Sequence, residues 1–168
     1  MSKAFKSEDS TDPGTPSRPP PRLAPGEVRY VTPEGQAELR RALADLRVER
    51  DKASLSPEPL ARGRLSDLEA RVALAEATLA SLTVLGPESA REGEVAFGTW
   101  VTVEDASHAQ VTWRIVGPDE ADAKRGRLSA LSPVGRALLG RSVGESVEVE
   151  RPGGPVELRV VRVKRSLG

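Results

Sequence analysis

The chain has 168 residues, enough for one medium domain or two small ones. Its formal charge is balanced at 25 basic against 25 acidic residues, and the balance holds locally: 4 against 4 over residues 1–27, 9 against 10 over 28–89, 12 against 11 over 90–168. No segment is a polycation, so sequence-independent phosphate binding is not expected to dominate, and a partner protein is the more natural target. Cysteine is absent and His108 is the single histidine, which excludes disulfides, thiolate or His-cluster metal centres and most His-based nucleophiles. No apolar run approaches the ~20 residues needed to span a bilayer, and the N-terminus lacks a signal-peptide h-region, so a cytoplasmic protein is expected.

Residues 1–27 hold six prolines (Pro13, Pro16, Pro19, Pro20, Pro21, Pro25) among Ser, Asp, Lys and Gly. Such a stretch cannot bury enough apolar surface to offset its chain entropy, and reads as a disordered tail with polyproline character. Pro19-Pro20-Pro21 is also a candidate ligand for an aromatic groove. A helix start follows at Val31-Thr32-Pro33-Glu34-Gly35, where Thr32 caps and Pro33 takes the first helical position. Leu39, Leu43 and Leu46 then recur at helical spacing, and the seam weakens through Arg50 and Ala53. Ser54-Leu55-Ser56-Pro57-Glu58-Pro59 cannot continue a helix and reads as a tight connection. Beyond it Leu65, Leu68, Val72, Ala75, Leu79 and Leu82 step alternately by three and four, the pattern of a coiled-coil seam. Residues 28–85 are therefore expected to form an antiparallel coiled-coil hairpin that ends at Gly86-Pro87.

From about residue 90 the period changes to two. Thr99-Trp100-Val101-Thr102-Val103 and Val111-Thr112-Trp113-Arg114-Ile115-Val116 alternate as strands, with Trp100 and Trp113 expected in the core. His108, in Asp105-Ala106-Ser107-His108-Ala109, is expected in an exposed loop. A short helix opens at Ser132 and Pro133 and ends at Gly140. Val147 and Val149, then Val156, Leu158 and Val160, flank Pro152-Gly153-Gly154-Pro155 as a closing β-hairpin. Residues 90–168 thus read as a small α+β domain, and the chain as α+β overall.

Several of these pieces resemble the GreA/GreB family of bacterial transcript-cleavage factors. They are Ile115-Val116-Gly117, Asp119-Glu120-Ala121-Asp122, Ser132-Pro133, Arg136-Ala137-Leu138-Leu139-Gly140 and Pro152-Gly153-Gly154, which stand in the family's order. Tyr30-Val31-Thr32-Pro33-Glu34-Gly35 looks like the family's entry to its first helix, and Gly63 to Val72 like its descending second helix. Met1-Ser2-Lys3-Ala4-Phe5, with the acidic, proline-rich run after it, looks like a GreB-type start. The resemblance implies an FKBP-like second domain that docks on RNA polymerase at the rim of its secondary channel. It further implies a coiled coil that reaches down the channel, where two tip carboxylates help hold a second Mg²⁺ for cleavage of backtracked RNA.

Two departures qualify that expectation. The family's tip motif, of the type Gly-Asp-Leu-x-Glu-Asn-x-Glu-Tyr, has no counterpart, and each arm looks shorter by about a heptad, or ~10 Å. Asp51 and Glu58 are the only carboxylates near the new tip, flanked by Lys or Pro rather than paired. They are weak metal-ligand candidates beside the reading as solvated tip charges. The position before Ser-Pro, acidic or amide in GreB-type proteins, is Leu131. Leu131, Ser132, Pro133, Asp119, Glu120 and Asp122 are the candidate polymerase-binding residues, though Ser132-Pro133 also serves as a helix start and Asp119 to Asp122 as a polar turn.

The expected function is a polymerase-binding elongation factor with weak or no cleavage stimulation, with no cofactor or metal of its own beyond the Mg²⁺ of the polymerase. It is expected to be a monomer that meets nucleic acid only indirectly, within the elongation complex. Two alternatives stay open: a cleavage factor with a rebuilt tip, and a short-coil relative of the nucleoside-diphosphate-kinase-regulator type. A prolyl isomerase is disfavoured because only 3% of residues are aromatic, too few to wall a proline pocket.

Overall fold

A computed structural model describes residues 25–167. The tail expected over residues 1–27, with Pro19-Pro20-Pro21, lies outside the described residues save for its last three.

Strand β1 (Arg29–Val31) leads directly into helix α1 (Pro33–Ser54). Thr32 is extended and its hydroxyl accepts from the Gly35 N–H at 3.1 Å, while Pro33 fills the first turn, where its missing N–H is not needed. Residues 55–60 then connect to α2 (Ala61–Ser81). The two helices lie side by side in opposite directions, with Arg47 Nη2 donating to Glu76 Oε1 at 2.6 Å across the pair. Leu43, Leu68 and Val72 are buried along the seam, and Leu39, Leu46, Leu65, Ala75 and Leu79 flank them half-buried. Toward the connection the seam thins, and Leu55 and Leu60 stand 85% and 88% exposed.

The seam stops earlier than its spacing predicts. Leu82 leaves the helix and opens β2 (Leu82–Val84), which pairs parallel with β1 in the register Arg29↔Leu82 to Val31↔Val84. Thr83 and Val84 are β-branched and favour extended backbone, and pairing with β1 satisfies groups a further helical turn would have used. The two ends of the helix pair are thereby fastened to each other.

The remaining strands are β3 (Trp100–Glu104), β4 (Gln110–Val116), β5 (Arg127–Ser129), β6 (Ser146–Val149) and β7 (Val156–Lys164). They form one sheet in the order β5-β4-β3-β7-β6, antiparallel except where β5 joins β4. Helix α3 (Pro133–Leu138) starts as expected, with the Ser132 hydroxyl accepting from Gly135 N–H at 3.0 Å. It packs on one face of the sheet, where Val95, Val101, Val103, Ile115, Leu138, Val147, Val149, Leu158 and Val160 form the core. The chain is α+β.

Of the two tryptophans, only Trp113 packs against that core. Trp100, expected beside it, lies on the other face. Cross-strand partners share a face, and the register pairs Val101 with Trp113 but Trp100 with Arg114. The Arg114 guanidinium carbon sits 5.9 Å from the centre of the Trp100 ring. His108 occupies an exposed loop at φ 63° with its side chain 86% exposed, as its surroundings predict.

Candidate functional site

The loop after β4 is seated on the start of α1. Gly117 makes the approach feasible: a Cβ there would fall 2.0 Å from the Tyr30 carbonyl oxygen, a distance no side chain tolerates. Next to it Asp119 takes a two-pronged hydrogen bond from Arg29, Nε to Oδ2 at 2.6 Å and Nη2 to Oδ1. Glu120 is 7% exposed and accepts from the Thr32 N–H at 2.6 Å and the Thr32 hydroxyl at 2.5 Å. Its carboxylate thus sits at the positive end of α1, which favours a negative charge. Gly35 leaves room for it, since a Cβ there would lie 2.3 Å from Glu120 Oε1. Tyr30 adds an aromatic contact, with its ring centre 5.8 Å from that of Phe97.

A second row of ion pairs runs along the same joint. Arg114, only 9% exposed, donates from Nη2 to Glu34 at 3.0 Å and from Nε to the Gly98 carbonyl at 3.2 Å. Glu38 accepts bidentate bonds from Arg125 at 3.0 Å and Arg127 at 2.8 Å. Hydrogen bonds from Arg127 and then Arg125 hold the Glu38 carboxyl well below the usual carboxylate range. The same contact raises Arg127, and the hydrogen bond to Asp119 raises Arg29. The joint is therefore polar and charge-paired, with a direction set by several bidentate contacts.

The sequence does not mark this network, because its partners lie 80 to 90 residues apart. One signal was present. Arg114 interrupts an otherwise strand-like run, and a cation inside a strand that also holds Ile115 and Val116 needs a carboxylate from elsewhere.

The candidate residues fall into three places. Asp119 and Glu120 are engaged inside the chain. Asp122 accepts from the Lys124 N–H at 3.0 Å and caps the short turn Ala123–Arg125. Leu131, Ser132 and Pro133 lead into α3, where Pro133 is exposed and Leu131 and Ser132 are half-buried. Ser132 also donates from its hydroxyl to the Ser129 carbonyl at 2.7 Å, and Arg136 Nε donates to the Leu131 carbonyl at 3.0 Å. Asp51 and Glu58 lie at the opposite end of the helix pair. Asp51 accepts on Oδ1 from Arg50 Nε at 3.0 Å and Nη2 at 2.8 Å, and Glu58 sits in the exposed connection between two prolines.

Among the described residues no helix is long and apolar enough to cross a membrane. Residues 90–165 match the family model described as transcription elongation factor, GreA/GreB, C-term. The chain is 37% identical to transcription elongation factor GreA of Anaeromyxobacter sp. (strain K), over 82% of this chain and 83% of the relative. It is 34% identical to GreA of Neisseria meningitidis serogroup A, over 82% and 89%, and 30% identical to GreB of Yersinia pestis, over 82% and 81%. Among solved structures it is similar to GreA factor homolog 1 (Gfh1) of Thermus thermophilus, with 26% identity, 82% and 99% coverage and a TM-score of 0.40.

Proposed function

Because the chain belongs to the GreA/GreB family of transcription elongation factors, we propose that it binds bacterial RNA polymerase at the rim of the secondary channel and modulates elongation with weak or no stimulation of transcript cleavage. On this reading residues 28–85 are a coiled-coil hairpin that enters the channel, and residues 90–168 are an FKBP-like domain that docks outside it. Leu131, Ser132 and Pro133 supply the docking edge together with Asp122. Asp119 and Glu120 stand behind that edge and fix the direction in which the helix pair projects.

The observation that carries the reading is the state of the hairpin tip. A cleavage factor's tip must offer Mg²⁺ several oxygen ligands in near-octahedral array. Asp51 and Glu58 do not fit that demand. The Asp51 carboxylate is already held by the Arg50 guanidinium, whose charge repels a divalent cation. Glu58 stands between Pro57 and Pro59 on a connection that also exposes Leu55 and Leu60. Any cleavage chemistry then belongs to the polymerase, and this chain acts by occupying the channel.

The test is a cleavage assay on backtracked elongation complexes, with the protein alone and then in competition with an authentic cleavage factor. The expected result is no stimulation alone and suppression of the authentic factor in competition. Cleavage by the protein alone that is lost in Asp51→Ala/Glu58→Ala would establish a rebuilt tip. No effect in either arm would move the assignment to a partner other than polymerase.

A further inference from the structure

The charge balance read along the sequence is undone by folding at one place. Six arginines on and around the sheet are paired with carboxylates: Arg29 with Asp119, Arg114 with Glu34, Arg125 and Arg127 with Glu38, Arg136 with Glu27, Arg141 with Glu145. At the end of β7 the pattern changes. Arg162, Lys164 and Arg91 are exposed and enter no ion pair among the described residues. Arg165 is exposed as well, and donates one N–H to the Ala90 carbonyl rather than to a carboxylate.

These cations converge. Arg91, Lys164 and Arg165 line one depression together with Thr99 and Ser166, and Glu92 is the single carboxylate in its lining. Strand register extends the patch over the near part of the sheet face opposite the core, as far as Glu104, which stands beside Arg159. Lys164 stands beside Trp100, and Arg162 beside Thr102, whose hydroxyl is 2.8 Å from that of Thr112 on the next strand. Lys164 and Arg162 are two residues apart on one face, about 7 Å along the strand. An acidic peptide would use only the charge. The Thr102 and Thr112 hydroxyls beside Arg162, with the half-buried Trp100 indole next to Lys164, suit phosphate oxygens and the sugar-base edge of a nucleotide as well.

We propose that the depression at the end of β7 and the adjoining face bind the phosphodiester backbone of a nucleic-acid strand. This is a direct contact, independent of polymerase docking, and sequence-neutral because nothing in it reads base edges.

The experiment measures binding of a labelled single-stranded RNA of about twenty nucleotides to the full chain, without polymerase, by fluorescence anisotropy across a salt series. Arg162→Glu/Lys164→Glu is expected to weaken binding at least ~10-fold and to flatten the slope of log affinity against log salt by about 1.4, two contacts at ~0.7 each. Arg91→Ala, a single change in a loop, is expected to flatten it by about 0.7 and guards against a folding defect in the double variant. The charge-matched Arg40→Glu/Arg71→Glu, on the exposed sides of α1 and α2, is expected to leave affinity within about twofold. Equal losses in the two double variants would overturn the site, because binding would then follow net charge alone. So would absence of RNA binding by the unaltered chain, full displacement of the RNA by low-millimolar inorganic phosphate, or displacement by polyglutamate at lower concentration than by unlabelled RNA, which would identify an acidic protein surface instead.

Discussion

Glu120 joins two roles that are usually separate in a small protein. It is a buried carboxylate, and it is the acceptor for the backbone and side chain of the residue that caps α1. Removing it leaves the Thr32 N–H and O–H donors without acceptors in a site that is 0% exposed, although the hydroxyl oxygen still accepts from Gly35. Unmet donors buried in this way cost about 1–3 kcal/mol, and bonds to a charged acceptor lie toward the top of that range. Glu120→Ala is therefore expected to lower stability by about 2–3 kcal/mol in urea denaturation. A loss below half that would mean water replaces the carboxylate. The sequence shows Glu120 only as one of several acids in a polar turn. Nothing in Gly117-Pro118-Asp119-Glu120 says that the turn meets a helix start 88 residues earlier. Thr32, Pro33, Ser132 and Pro133 were legible because capping is local, its donor and acceptor being three residues apart.

At the scale of elements, the helix pair was readable from periodicity and its base was not. The steps of three and four place Leu43, Leu68 and Val72 in the seam, and burial agrees. β1, β2 and β5 have three residues each, too short to display an alternation, and they exist because a neighbouring strand is supplied by the rest of the fold. The contrast along the helices is measurable. Leu68→Ala is expected to cost about 2–4 kcal/mol, since Leu68 is 2% exposed, while Leu55→Ala at 85% exposure is expected to be neutral within ~0.5 kcal/mol by thermal or urea melts. The link from α1 to the sheet has its own pH signature. Glu38 titrates below its ordinary range when folded, held there by Arg127 and Arg125. On acidification the unfolded chain takes up that proton first, so the contribution is present above the ordinary glutamate range and fades as pH falls toward the folded value. Unaltered protein is expected to be more stable than Glu38→Gln near pH 6, with the difference shrinking by about pH 3. A difference independent of pH would mean that shape rather than charge makes the contact.

Over the whole molecule, the sheet divides the labour by face. One side carries the aliphatic core and α3, and the other carries Trp100, Arg114, Thr102, Thr112, Arg162 and Lys164. The strand order has a further consequence for how the molecule assembles itself. The helix pair needs only the short connection at residues 55–60 to bring its seam together, so it can form from contacts close in sequence. The sheet cannot. β7 lies between β3 and β6, and β3 meets it across the intervening β4, β5, α3 and β6. Until Val156–Lys164 arrives, β6 has no neighbour and one edge of β3 is open. Refolding should thus separate in time, with helical signal gained early and tryptophan burial late, paced by the closure of a strand that the rest of the core waits for.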